Sequence, residues 1–309
     1  MLSRQFSIIA SSLLLGLASP AQALPGTNLE IRGDLPFPVS DFTTTVGSVQ
    51  NTYCGSAANQ PGQKIGDQTL LKAYGNGDST QRANIYYSNS LGIIVAYEGT
   101  NLSSLTSIVH DVAAVQTVPA LDLGIPASNL VDAGFQSAWY ATWADVKQGL
   151  YEVTAQYNSS NIVVTGHSLG AAAALFAALA IQKEFGIVDK VIAYGVPRVG
   201  DPAFANSFDQ VFLGKYTGVT NGNDWVPSVP YQWMGYRHLS GMVWINPANT
   251  TSWTFYPGQE NPSGPQAAGT PEYFYPGTAT LYFGDHQGIY MHNSMGTVYG
   301  PCPAAAGGY

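Results

Sequence analysis

Ser168 lies in Gly166-His167-Ser168-Leu169-Gly170, a G-x-S-x-G pattern. A serine hydroxyl is a weak nucleophile unless a base takes its proton and an acid orients that base. Alone the pentapeptide is a weak signal, because a chain with 34 glycines produces such patterns by chance. Its context makes it stronger. Ile162 to Thr165 reads as a buried strand directly before it, and the Ala-rich run Leu169 to Phe185 as a helix directly after it. A serine on a sharp strand-to-helix turn projects out of the backbone. Gly166 and Gly170 would then remove Cβ atoms where neighbouring backbone approaches. The start of the helix offers free N–H groups, and the N–H of Leu169 would donate to a developing oxyanion. The plainer reading is a glycine-rich turn with an incidental serine, and the strand and helix weigh against it.

The partners should follow the serine in the order acid, then histidine. The acid candidates are Asp201, Asp209 and Asp224. Asp201 precedes Pro202 and reads as the N-cap of a helix through Phe204 and Ala205. Asp224 sits in Thr220-Asn-Gly-Asn-Asp-Trp-Val-Pro, just past a β-run, where α/β folds build sites, and is favoured. His238, His286 and His292 are the downstream histidines. His238 reads as part of a strand. His286, in Asp285-His-Gln-Gly-Ile-Tyr290 on a late loop, is favoured over His292, which chemistry alone leaves open. Asp285 adjoins His286, and adjacent side chains rarely face each other, so it is not the expected orienting acid. His167 is expected to point elsewhere on the turn. Ester-type chemistry of this kind needs no metal or organic cofactor, and no cluster has metal-ligand spacing.

These residues need a scaffold. Ser40 reads as the N-cap of a helix bearing Phe42, Val46, Val49 and Tyr53. Residues 83–88 and 91–97 read as strands. Leu102, Leu105, Val109 and Val112 mark one face of a short helix. A loop is expected over 118–128, a long helix over Val131 to Tyr157, and strands over Val188 to Tyr194 and Val211 to Val219. Residues 246–280 read as turns and short strands. Strands alternate with helices through the middle, which indicates an α/β class and one domain over residues 24–309.

Bulk properties exclude several partners. The net charge is −8 and no Lys/Arg run occurs, so a nucleic-acid footprint is absent. An anionic membrane would not attract this chain, and any lipid contact must be apolar. Arg4, the apolar stretch Ile8 to Leu17 and Ala21-Gln22-Ala23 form a secretory signal peptide over residues 1–23. The stretch is too short to span a bilayer, which takes about 20 residues. In an oxidising compartment Cys54 and Cys302 should bridge. Sequons occur at Asn101, Asn158 and Asn249. A secreted, monomeric protein with no transmembrane segment is expected.

Five stretches together carry a family likeness: Val95-Ala-Tyr-Glu-Gly-Thr100, Val163-Val-Thr-Gly-His-Ser-Leu-Gly, Tyr194-Gly-Val-Pro-Arg-Val-Gly-Asp, Asn223-Asp-Trp-Val-Pro and Asp285-His-Gln-Gly-Ile-Tyr. In this order they resemble the fungal class 3 lipases, from about Phe42 to Met295. The resemblance implies an α/β-hydrolase-type central sheet flanked by helices. It implies Ser168, Asp224 and His286 as the triad, Thr100 as the second oxyanion donor beside Leu169, and the helix bearing Leu102, Leu105, Val109 and Val112 as a lid. Most members have Arg where this chain has Glu98. Tyr-Glu-Gly-Thr-Asn looks like the subgroup acting on mono- and diacylglycerols. Ala171, where Gly is common, and Met291, where Phe often follows the Tyr, are further departures. The implied reaction is hydrolysis of acylglycerol esters at a lipid–water interface. An esterase for feruloyl or other short esters on the same scaffold is the alternative. A secreted binding protein, using the Trp/Tyr-rich 225–280 region, is a third reading that a complete Ser, Asp and His set argues against.

Overall fold

A computed structural model describes residues 34–100, 115–159, 161–265, 283–296 and 302–303. The expected signal peptide, the expected lid (Leu102, Leu105, Val109, Val112) and the sequon residue Asn101 lie outside them. The frame is a nine-stranded sheet in the order β1-β2-β3-β4-β7-β8-β9-β10-β11. Its strands are β1 Lys64–Ile65, β2 Gln68–Tyr74, β3 Ala83–Ser88, β4 Gly92–Tyr97, β7 Ile162–His167, β8 Val188–Tyr194, β9 Tyr216–Asn221, β10 Met242–Ile245 and β11 Trp253–Tyr256. The centre, from β4 to β10, pairs in parallel, and the outer strands pair antiparallel. Two short strands, β5 Gln116–Thr117 and β6 Val131–Asp132, form a separate ladder.

Apolar residues on alternate sides of the central strands serve two cores. On one face Ile93, Val95, Tyr97, Ile162 and Val164 meet two helices. These are α2 Ala133–Tyr157, through Trp139, Trp143, Val146, Leu150 and Val153, and α3 Leu169–Phe185. On the other face Ile94, Ala96, Val163 and Ile192 meet Phe42, Val46 and Val49 of α1 Val39–Thr52. Helix α3 is buried from Gly170 to Ile181, and its alanines let it lie close on the sheet. Cys54, just past α1, is joined to Cys302 with Cα atoms 5.7 Å apart. Among the described residues no helix is long and apolar enough to cross a membrane.

Three expectations are corrected. Ser40 is not the cap of α1: the cap lies two residues earlier, at Pro38, with Asp41 N–H donating to Pro38 O at 3.0 Å. Proline presets the backbone there, and Ser40 falls inside the first turn. Val211 to Val219 is not one strand. Phe208 and Phe212 continue the apolar face of a helix, α4 Pro202–Phe212, and only Tyr216 onward is strand. Asp201 does cap α4, accepting from Phe204 N–H at 2.7 Å. His286 lies in a one-turn helix, α5 Phe283–His286, rather than in loop. It leads into the small hairpin β12 Ile289–Tyr290 and β13 Asn293–Ser294.

Candidate active site

Strand β7 ends at His167 and α3 begins at Leu169, so Ser168 alone makes the turn. Its φ of 59° and ψ of −127° lie where a residue with a side chain is strained. The turn is held by backbone: Ser168 N–H donates to Tyr194 O at 2.9 Å, and Ser168 O accepts from Ala171 and Ala172. Both glycines are required sterically. A Cβ on Gly166 would collide with the carbonyl of Gly170. A Cβ on Gly170 would lie 2.5 Å from the carbonyl oxygens of Tyr97 and Glu98. That second approach brings the end of β4 onto the turn. A Cβ on Gly99 would sit 3.0 Å from Ser168 Cβ, so the chain runs close past the serine into the buried Thr100.

The strand-end loop after β9 supplies Asp224, whose N–H donates to Asn221 O at 3.0 Å. His286 Nδ1 lies 3.0 Å from Asp224 Oδ1 and 2.9 Å from Oδ2, and both residues are buried. Asp224 Oδ1 also accepts from Val226 N–H at 2.9 Å, which fixes the carboxylate plane. Gly195, at the end of β8 with φ 52°, leaves room for the pair. A Cβ there would lie 2.9 Å from both Asp224 Oδ2 and His286 Nδ1. Ser168 Oγ, His286 Nε2 and Thr100 Oγ1 are buried and have no hydrogen-bond partner. Buried polar atoms are mostly paired, and these three are left free to engage a reacting group.

The other candidates do different work. His238 is buried with its Nε2 2.6 Å from Pro227 O, and burial pulls its pKa down to about 4. His292 is exposed against Trp253. Asp209 binds Ser240 N–H and Oγ. Asp285 accepts from Asn223 N–H at 2.7 Å and makes no contact with the His286 ring that orients it.

Comparison with known proteins decides the family. The profile described as Lipase (class 3) matches residues 94–234. A secreted mono- and diacylglycerol lipase of Gibberella zeae is 58% identical over 301 residues, covering 96% of this chain and 94% of that one. The chain belongs to the class 3 lipase family. A secreted mono- and diacylglycerol lipase of Malassezia globosa, MDL2, is 40% identical and covers 97% of this chain and 96% of its own. The crystal structure of an MDLA mutant from Penicillium cyclopium matches with a TM-score of 0.65 and 27% identity, covering 75% of this chain and 90% of that one. The protein is thus an ester hydrolase of the α/β-hydrolase fold.

Around the pair this lipase builds supports that sequence reasoning missed. His286 O accepts from Tyr290 Oη at 3.0 Å and lies 2.9 Å from His167 Nε2. A carbonyl only accepts, so His167 carries its proton on Nε2. Its Nδ1 then accepts from Tyr53 Oη at 2.5 Å. Burial, and then the charge of His286, hold the His167 pKa well below the usual range, so the ring stays neutral. His167 does not bond Ser168, as expected, yet it packs against the His286 ring with centroids 4.5 Å apart. A second support is a pair of amides. Asn221 Nδ2 donates to Asp285 O at 2.9 Å and to Asn249 Oδ1 at 3.1 Å. Asn249 Oδ1 also accepts from Ile289 N–H at 2.6 Å, and Asn249 N–H donates to Asn221 Oδ1 at 2.8 Å. The two asparagines grip the chain on both sides of His286.

Glu98 is buried beside the serine turn. It accepts from Arg82 N–H at 2.9 Å and faces the Arg82 guanidinium at 3.7 Å. Burial pushes its pKa up to about 7, with Arg82 opposing. Glu98 and Arg82 thus face each other in the buried layer under the serine turn.

Proposed function

We propose that this secreted lipase hydrolyses acylglycerol esters, mono- and diacylglycerols foremost, through an acyl-enzyme at Ser168. The observation that carries the reading is the buried Asp224–His286 contact, together with unpaired atoms at His286 Nε2 and Ser168 Oγ. His286 Nε2 takes the Ser168 proton as Oγ attacks the ester carbonyl. The N–H groups of Leu169 and Thr100 hold the oxyanion. The proton passes from His286 to the departing glyceride oxygen. Water, deprotonated by His286, then releases the fatty acid and restores the serine. Asp224 keeps Nδ1–H pointed at itself and stabilises the imidazolium.

The preference for partial glycerides is supported by the names of the relatives and by the Glu98-containing motif. We assign the segment bearing Leu102, Leu105, Val109 and Val112 as the lid, the lipid–water interface as the place of action, and residues 24–309 as one monomeric catalytic domain left after residues 1–23 are cleaved. Initial rates on emulsified monoolein, diolein and triolein and on methyl ferulate test the assignment. Monoolein and diolein are expected to be fastest. A clear preference for triolein or for methyl ferulate would overturn the substrate class while leaving the triad intact.

A further inference from the structure

Two segments at the reactive end of the sheet contain no charged residue and no histidine: residues 115–121 and residues 225–236. Each carries apolar side chains into water. Trp233 is 80% exposed, Val115 60% and Val118 58%. Trp233 stands on the one-turn helix Gln232–Met234, its ring stacked on Tyr231 with centroids 5.7 Å apart. Stacking fixes the ring outward, so its exposure is built into the turn.

The segments are one surface. Gln116 Nε2 donates to Gly235 O at 3.2 Å. Strand β5 pairs with β6, Val131 of β6 bridges Gly200, and Gly200 bridges Arg237. The surface also adjoins the site. Residues 225–236 begin directly after Asp224, and the Trp225 ring lies 6.4 Å from that of His286.

We propose that this surface, led by Trp233 with Val115 and Val118, is a fixed docking patch for an uncharged lipid surface. The inference rests on the acylglycerol reading above. Charge selects the occupant. A chain of net charge −8 is repelled by anionic lipid, while the two segments carry no ionised side chain, with exposed Arg237 and half-buried Asp122 only at their margins, and meet a neutral lipid phase with little charge to desolvate. Tryptophan favours the boundary between water and lipid. An exposed apolar patch beside a site whose substrate resides in lipid would bring the site to the substrate.

The test uses the full-length secreted protein in two arms. In the first, Ser168→Ala protein, which removes turnover, is floated with phosphatidylcholine vesicles containing diolein. Trp233→Ala is expected to lower its partition coefficient about tenfold or more, and Val118→Ser to lower it less. Adding phosphatidylglycerol should not increase binding. In the second, Trp233→Ala on the active protein should slow hydrolysis of emulsified diolein and leave hydrolysis of water-soluble p-nitrophenyl acetate within about twofold. Unchanged partition, tighter binding to anionic vesicles, or a dimer that Trp233→Ala dissociates in sedimentation would overturn the patch. The vesicle arm needs no catalysis, so its outcome is independent of whether the triad assignment holds.

Discussion

Ser168 and His286 stand on different kinds of support. Around Ser168 the work is done by backbone. A fully buried strand, a helix that starts at the next residue and two glycines without room for a Cβ leave the turn one conformation. Around His286 the work is done by side chains, most of them from distant parts of the chain and one, Tyr290, from the next turn. Asp224, Tyr290, His167, Asn221 and Asn249 each place one hydrogen bond on or beside it. In the proposed mechanism Ser168, as nucleophile, must reproduce one strained geometry, which regular structure fixes well. His286, as the proposed base, must hold one tautomer and shuttle a proton, which polar partners can adjust.

Substitutions in each half should separate these supports. Ser168→Ala is expected to lower ester hydrolysis by about 10⁴-fold or more with circular dichroism unchanged, because the fold around it does not use the hydroxyl. Gly166→Ala puts a methyl against the Gly170 carbonyl. It should cost about 3 kcal/mol or more, read as a lower denaturant midpoint or failed secretion. A normal midpoint would show that the turn relaxes.

Between the two halves, Glu98 makes a pH-dependent contribution. Its pKa is raised by burial from 4.5 to about 7 in the folded protein. Across that window the folded state holds a proton that the unfolded chain has lost. The contribution is therefore fully present below about 4.5 and gone once the pH has risen through about 7. Stability should fall by at most about 3 kcal/mol over this range. Glu98→Gln should flatten the fall. Parallel pH profiles for the two proteins would contradict it.

The smallest effect is the most discriminating. Asn221 uses its amide hydrogens, while Asn249 offers its side-chain oxygen to Ile289. Asn221→Asp should lower kcat about tenfold with KM nearly unchanged, and Asn249→Asp should stay within about threefold of the parent. Equal losses would reduce the amide pair to general stabilisation.

The same contrast governs what the sequence made legible. Strands β4, β7 and β8 and helices α2 and α3 were readable within a residue or two, because burial writes its period locally. The serine turn was readable for that reason. Strands β1 and β2 were not, since Lys64 to Tyr74 mixes polar and apolar residues without a clean alternation. Asp224 and His286 were favoured by chain order, loop position and the family likeness, and the structure brings them together. Their supports were not, since Tyr53 lies 114 residues from His167 and Asn249 40 residues from Ile289. An asparagine or tyrosine looks the same in sequence whether it faces water or grips a catalytic loop. His167 was set aside for its place on the turn, although its pentapeptide position hinted that it would be buried.

The central claim is that Ser168 becomes covalently acylated with His286 as its base. Treating the secreted protein with diethyl p-nitrophenyl phosphate and mapping the adduct by mass spectrometry tests it most directly. The account predicts one diethylphosphoryl group per chain, on Ser168, appearing in step with loss of diolein hydrolysis and absent from His286→Ala protein. Full inactivation with the adduct on another residue, or hydrolysis persisting in fully labelled protein, would contradict it.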